Sequence, residues 1–307
     1  MGKIIVEMKD VTKCFGNVVA LRGVNLEIYE GITGLIGPNG AGKTTTIGII
    51  LGLLRRDSGY LSVYGVDPWI KGQEVRTKIG FLDEKPVFPG NMTGRRFLRC
   101  VARIYGVNEE SVNEVLKIVG LSRHADRSIS TYSAGMIQRL GLAQALLGDK
   151  EFIILDEPTS NLDPIARIRI LELIKSLRKS SGLSFLISTH ILTELERVCD
   201  NIIVMYGGKV LGACTLDEIY NKINYESYIL EFSTLEESKK VYSRVIEAGD
   251  ADIDGRFVYI NQRIWNKIRE DIFQFISENG IKMLSLKPRY NAIEEYYKSL
   301  IGDTIEI

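Results

Sequence analysis

The chain has 307 residues, 45% hydrophobic and 25% charged, and its 39 basic side chains are matched by 39 acidic ones. That composition is globular and excludes a disordered tail, a fibre and a disulfide-stapled miniprotein, while zero net charge disfavours a globally basic nucleic-acid binder. No apolar run reaches the roughly 18 residues needed to span a bilayer, and Glu7 interrupts the first segment before a signal-peptide core could form. Gly2 lacks the downstream hydroxyl residue of a myristoylation site, so a soluble chain without a targeting segment is expected. Cys14, Cys100, Cys199 and Cys214 share no C-x-x-C spacing and only His124 and His190 accompany them. A disulfide framework or zinc site is therefore not expected, and a reducing compartment fits.

In chain order, the first buried-strand pattern is Gly31 to Ile36. It leads into Gly37-Pro38-Asn39-Gly40-Ala41-Gly42-Lys43-Thr44, which matches G-x-x-x-x-G-K-[ST], then Thr45 and a helix-forming stretch. Glycines let backbone N–H groups wrap phosphates, and the helix N-terminus adds a favourable dipole. Lys43 is placed to reach the β- and γ-phosphates, and the Thr44 hydroxyl to meet magnesium. Between Asn91 and Lys150 helical periodicity predicts an all-helical insertion of about 60 residues. Within it, Arg95, Arg96, Arg99 and Arg103 share one helical face, read as either a solvated basic face or a contact with an acidic or membrane-proximal partner.

Tyr132-Ser133-Ala134-Gly135-Met136 precedes a helical run from Ile137 to Gly148, so small residues again open a helix. The strand Phe152 to Leu155 ends in Asp156 and Glu157, which delivers two acids to the carboxyl edge of a sheet. Asp156 suits magnesium and Glu157 suits polarising a water. The strand Ser184 to Ser188 ends in Thr189-His190, and Ile202 to Met205 is a further strand. Singly, a strand-end turn, a helix cap and an edge histidine are most often structural.

Thr215-Leu216-Asp217-Glu218 reads as a capping box, and a domain boundary is expected between about 215 and 225, separating a phosphate-binding domain at 1–219 from an accessory domain at 220–307. From Thr215 onward there are 12 basic and 17 acidic residues, so the tail is acidic. It carries expected strands at Tyr228 to Phe232 and Phe257 to Ile260, helices at Glu236 to Ala248 and Trp265 to Asn279, and an Asp254-Gly255 hairpin turn. A third strand at Ile281 to Leu286 and a closing helix from Asn291 complete a small α/β domain.

Taken together, the phosphate loop, the helical insertion, Tyr-Ser-Ala-Gly-Met some twenty positions before Asp156-Glu157, and the strand-end histidine resemble the ATP-binding cassette (ABC) ATPases over about residues 3 to 215. The resemblance implies a phosphate-loop α/β core with a helical subdomain, followed by the small α/β domain. It implies ATP and Mg2+ as ligands, Glu157 and His190 as catalytic residues, and Phe15 stacking on adenine, against a core-packing role for that ring. Ser160-Asn161-Leu162-Asp163 looks like the family's D-loop. Two such chains are implied to pair head to tail, with Ser133 and Gly135 of one completing the site of Lys43 and Glu157 of the other.

The closing stretch from Tyr290 to Asp303 is similar to exporter subunits whose integral-membrane permease is a separate chain, which places this one on the cytoplasmic face of the membrane without a nucleic-acid partner. An importer ATPase, an ABC ATPase acting on ribosomes or DNA, and a non-hydrolysing scaffold are the rival readings; the scaffold conflicts with the intact Lys43, Asp156, Glu157 and His190. Two departures stand out. The signature has Tyr132 and Ala134 where the family has leucine and glycine. Glu84 follows Ile79-Gly80-Phe81-Leu82-Asp83 where the family has a glutamine. Glu84 either coordinates magnesium or faces the permease, and coordination is the favoured expectation because hard cations prefer carboxylate oxygen.

Overall fold

The computed structural model describes residues 2–160, 162–222, 227–289 and 292–302. They divide into two compact units, one running to Leu216 and the other covering Asp217–Gly302.

In the first unit β1 (Ile4–Phe15) and β2 (Val18–Tyr29) form a long hairpin. β3 (Ile32–Ile36) runs into the phosphate loop and α1 (Lys43–Ile50), and β4 (Ser58–Val63) returns to pair with β1. The order β2-β1-β4 is an antiparallel sheet of its own. Then follow α2 (Gly72–Lys78), β5 (Ile79–Leu82), α3 (Gly94–Tyr105), α4 (Glu109–Ile118) and α5 (Ala134–Leu146). The expected helical insertion is present. Its last helix, however, seats directly on the core: a Cβ on Gly80 of β5 would stand 1.9 Å from the Ala145 carbonyl oxygen of α5.

β6 (Phe152–Asp156), α6 (Pro164–Ser181), β7 (Ser184–Thr189), the short α7 (Leu192–Leu195), β8 (Asn201–Tyr206) and β9 (Lys209–Thr215) complete this unit, and α8 (Leu216–Lys222) opens the second. The main sheet has the order β5-β6-β7-β3-β8-β9. Neighbours from β5 to β8 are parallel and β9 is antiparallel. Every residue of β3, β6 and β7 is buried, as strands covered on both faces require, which is why their sequences read as continuous apolar runs. Val6, Leu35, Ile47, Phe152, Leu186 and Ile203 belong to one core, which joins the antiparallel sheet, α1 and the main sheet. The register sets Leu82 beside Leu155, Asp156 beside Ser188 and Ile36 beside Thr189. The carboxyl ends of four adjacent strands therefore open on the same edge, where such sheets place ligands.

The second unit runs β10 (Ser227–Phe232), α9 (Leu235–Ile246), β11 (Ala251–Asp254), β12 (Phe257–Asn261), α10 (Gln262–Glu278), β13 (Met283–Pro288) and α11 (Ala292–Ile301). Its all-antiparallel order β11-β12-β10-β13 is the split βαβ, ferredoxin-like arrangement. Leu230, Phe232, Val241, Val258, Trp265 and Ile272 form its own core. Thr234 and Glu237 make a reciprocal capping box on α9. Glu237 also accepts from Ser233 and from the Lys282 N–H, which holds its carboxyl down to about 2. The expected helix from Asn291 begins at a residue outside the described ones.

Candidate functional site

The phosphate loop joins β3 to α1, and its shape depends on glycine. Gly40 and Gly42 have φ of 80° and 103°, the left-handed region. A Cβ on Gly37 would stand 2.2 Å from the Met205 carbonyl oxygen and 2.9 Å from Ala41 Cβ, so the loop packs where only hydrogen fits. Lys43 is buried, and its Nζ donates to Gly37 O at 2.8 Å and to Pro38 O at 3.4 Å. Its remaining side faces Glu157 Oε1 at 3.7 Å.

Next to the loop, Thr44 Oγ1 donates to Asp156 Oδ2 at 3.0 Å, and Ser188 Oγ donates to Asp156 Oδ1. Burial pushes the Asp156 carboxyl above its ordinary value, against the lowering effect of those two hydroxyls. A hydroxyl and a carboxylate presenting hard oxygen side by side fit Mg2+, which takes few protein ligands and completes its shell with water and phosphate oxygen. Among the described residues there is no cluster of three or more His, Cys, Asp or Glu side chains able to hold a metal without such help.

Glu157 has φ of 47°, a left-handed conformation uncommon outside glycine and associated with functional strain. Its N–H is held by Ser188 O at 3.0 Å and Ser188 Oγ at 3.2 Å, while its Oε2 lies 2.9 Å from His190 Nδ1. The carboxylate thus reaches Lys43 with one oxygen and His190 with the other.

These groups line one cleft of about 380 Å³. Phe15, Asn39, Gly40, Ala41, Gly42, Lys43, Thr44, Thr45, Glu84, Asp156, Glu157 and His190 all face it, with Gly37 and Pro38 behind through their carbonyls. Phe15 is 48% exposed, which excludes the core-packing reading of its ring, and Lys13 Nζ lies 5.2 Å from the ring centroid. Glu84 stands at the same cleft, with its carboxylate 3.5 Å from Lys85 Nζ and 43% exposed.

Ser133 and Gly135 are elsewhere. They line a different cleft of about 330 Å³ together with Leu162, Asp163 and Ala166. Ser133 is the N-cap of α5 and accepts from the Met136 N–H at 3.3 Å. Tyr132 has its own structural reason: its hydroxyl donates to His124 O at 2.8 Å and occupies room that a Cβ on Gly94 would invade, at 2.5 Å.

Of the four arginines on α3, Arg95 pairs with Asp126 and Arg99 with Glu109, so half of the expected basic face is engaged inside the helical insertion. Sequence reasoning missed Ser188, which orients both Asp156 and the backbone of Glu157. Only the pairing of Asp156 with Ser188 across β6 and β7 reveals it.

A profile described as ABC transporter matches residues 21–160. The chain is 35% identical over 304 residues to the bacitracin transport ATP-binding protein BcrA of Bacillus licheniformis, covering 97% of each. It is 36% identical over 224 residues to the lantibiotic transport ATP-binding protein SrtF of Streptococcus pyogenes, covering 71% of this chain and 96% of that one. Among solved structures, an ATP binding subunit of an ABC transporter superposes with TM-score 0.64 at 31% identity, over 71% of this chain and 92% of the other. The dimeric post-hydrolysis cassette MJ0796 with ADP and Pi does so with TM-score 0.63 at 26% identity, over 69% and 99%. The core likeness reaches the phosphate loop, and the likeness to BcrA runs on through the second unit: this chain belongs to the ABC transporter family, as an ATP-binding and hydrolysing subunit.

Proposed function

We propose that the chain hydrolyses Mg-ATP as one half of a head-to-tail pair and drives export through a separate integral-membrane permease. The observation that carries the pairing is the separation of the two clefts. Lys43, Asp156, Glu157 and His190 meet in one, while the signature residues Ser133 and Gly135 line the other. A second copy turned head to tail brings its signature helix N-terminus, with free N–H groups and a positive dipole, to the open side of the phosphate loop.

In that reading Phe15 stacks on the purine, and the loop N–H groups with Lys43 hold the β- and γ-phosphates. Thr44 and Asp156 hold Mg2+, which when bound neutralises charge on the phosphate oxygens. Glu157 accepts the proton of the attacking water, and His190 fixes the carboxylate from its far side at 2.9 Å. Ile70, Val87 and Ile104 are 77%, 91% and 80% exposed, apolar side chains open to contact by a permease. Among the described residues no helix is long and apolar enough to cross a membrane. The names of the bacitracin and lantibiotic relatives point to peptide antibiotics as the cargo class.

The test is Glu157→Gln, which keeps shape and hydrogen bonding but removes the base. ATP binding survives, turnover falls by about 10²-fold, and an ATP-dependent dimer persists in gel filtration. Turnover near the wild-type value would place the base elsewhere.

A further inference from the structure

We propose that Glu194 is a positioning residue for hydrolysis, holding His190 in register with Glu157; this rests on the reading of Glu157 as the base. The His190–Glu157 contact needs outside support. The imidazole is 52% exposed and lies just past the end of β7, and Glu157 sits just past the end of β6. Beyond these points the two segments diverge, one into α7 and the other into the loop before α6. A hydrogen bond to a solvent-exposed side chain contributes little order by itself.

Glu194 lies four residues after His190, on α7. Its Oε2 accepts from Thr159 Oγ1 at 2.6 Å, and Thr159 is a buried residue two positions after Glu157. Its Oε1 lies 3.5 Å from Arg167 Nη1, and Arg167 Nε donates to Leu162 O at 2.9 Å. One carboxylate therefore fastens the segment that carries His190 to the segment that carries Glu157, and through Arg167 to the loop that follows. The Glu194 side chain is only 12% exposed and does not line the nucleotide cleft. A largely buried carboxylate adds little stability over an apolar residue of like volume, so its value here is geometric.

The measurement is steady-state ATPase on the full chain. Thr159→Val keeps volume and removes the donor to Glu194, whereas Thr159→Ser keeps the donor. Thr159→Val lowers kcat by about tenfold with KM for ATP within about twofold, and Thr159→Ser stays within about twofold of wild type. Glu194→Gln keeps an acceptor for Thr159 but turns an amide toward Arg167, so kcat falls by about threefold.

A readout that a merely structural role would not move is the cycle with His190→Ala, measured in single turnover with enzyme in excess. Once His190 is gone, adding Thr159→Val slows the reaction by less than about twofold, because both changes remove the same contact. Full additivity, a wild-type kcat in Thr159→Val, or kcat falling together with nucleotide binding and melting temperature would each overturn the proposal. So would wild-type turnover in His190→Ala, which would remove the contact being positioned. Glu157→Gln in the same assay separates the two levels: if it alone stays active the reading of the base fails, whatever the Thr159 variants do.

Discussion

Gly135 offers a separation of folding from function that the geometry makes quantitative. It is the second residue of α5, and its φ is not in the left-handed region. A Cβ there would meet Ala166 Cβ at 3.7 Å and Leu162 Cδ2 at 3.9 Å, both ordinary van der Waals contacts. Nothing in the fold therefore requires glycine. Alanine in a helix is favoured over glycine by up to about 1 kcal/mol, and about half of that is reasonable in the first turn. For a unit of this size about 0.5 kcal/mol corresponds to a rise in melting temperature of about 1–2 °C.

In the proposed head-to-tail pair, the same methyl would enter the cleft that faces a second copy's γ-phosphate. Holding phosphate away from even one backbone N–H costs about 10²-fold in turnover, or about 2.7 kcal/mol. Gly135→Ala is thus expected to melt slightly higher, to bind ATP on the isolated chain as the wild type does, and to lose turnover. Calorimetry, nucleotide titration and phosphate release measure the three. A lowered melting temperature, or unchanged turnover, would refute the reasoning that the glycine is there for a partner.

Phe15→Ala weakens ATP and GTP binding alike by about 1–3 kcal/mol, since stacking does not distinguish the purines, and leaves the melting temperature within a degree or so because the ring is outside the core. Glu84→Gln raises the Mg2+ concentration needed for half-maximal ATPase if the carboxylate coordinates the ion; an identical magnesium curve would assign Glu84 to the permease instead. For Asp156, burial raises the folded carboxyl above its unfolded value, so the folded state binds that proton more tightly. The stability this contributes is present below the ordinary value of about 3.9 and is lost as pH rises from there through the raised folded value. Without Mg2+ at neutral pH, Asp156→Asn is therefore expected to melt higher than wild type, with a flatter dependence on pH across that window. A lower melting temperature would mean that the hydroxyl partners outweigh burial.

The parts of this molecule legible in its sequence are those where one local pattern dictates one structure. β3, β6 and β7 are buried on both faces and read as apolar runs, and the loop, the two acids and the histidine follow directly from their ends. The long hairpin of β1 and β2 was illegible for a physical reason. Its register shifts between Ile4 and Val6, again between Met8 and Val11, and twice more before Phe15, so each bulge resets the two-residue alternation that marks a strand. β11 has only four residues and alternates half-buried with exposed positions, too short for periodicity to show. Ser188 and Glu194 were hidden because their roles arise between segments distant in sequence. The charge pattern on α3 showed the arginines but not their acids, which lie on other elements: Asp126 is 31 positions from Arg95.

The left-handed backbone of Glu157 and the desolvated carboxyl of Asp156 concentrate unfavourable free energy at one strand end, the place where ligand arrives. A nucleotide that binds only the folded chain offsets that cost by linkage, which makes it a conformational chaperone for its own enzyme. At a free concentration 100 times the dissociation constant that linkage is worth about 2.7 kcal/mol, enough to lower the unfolded fraction roughly a hundredfold. Losing bound nucleotide would then expose this subunit to faster proteolysis, so that abundance, and with it transport capacity, follows nucleotide occupancy as a slow companion to the turnover rate.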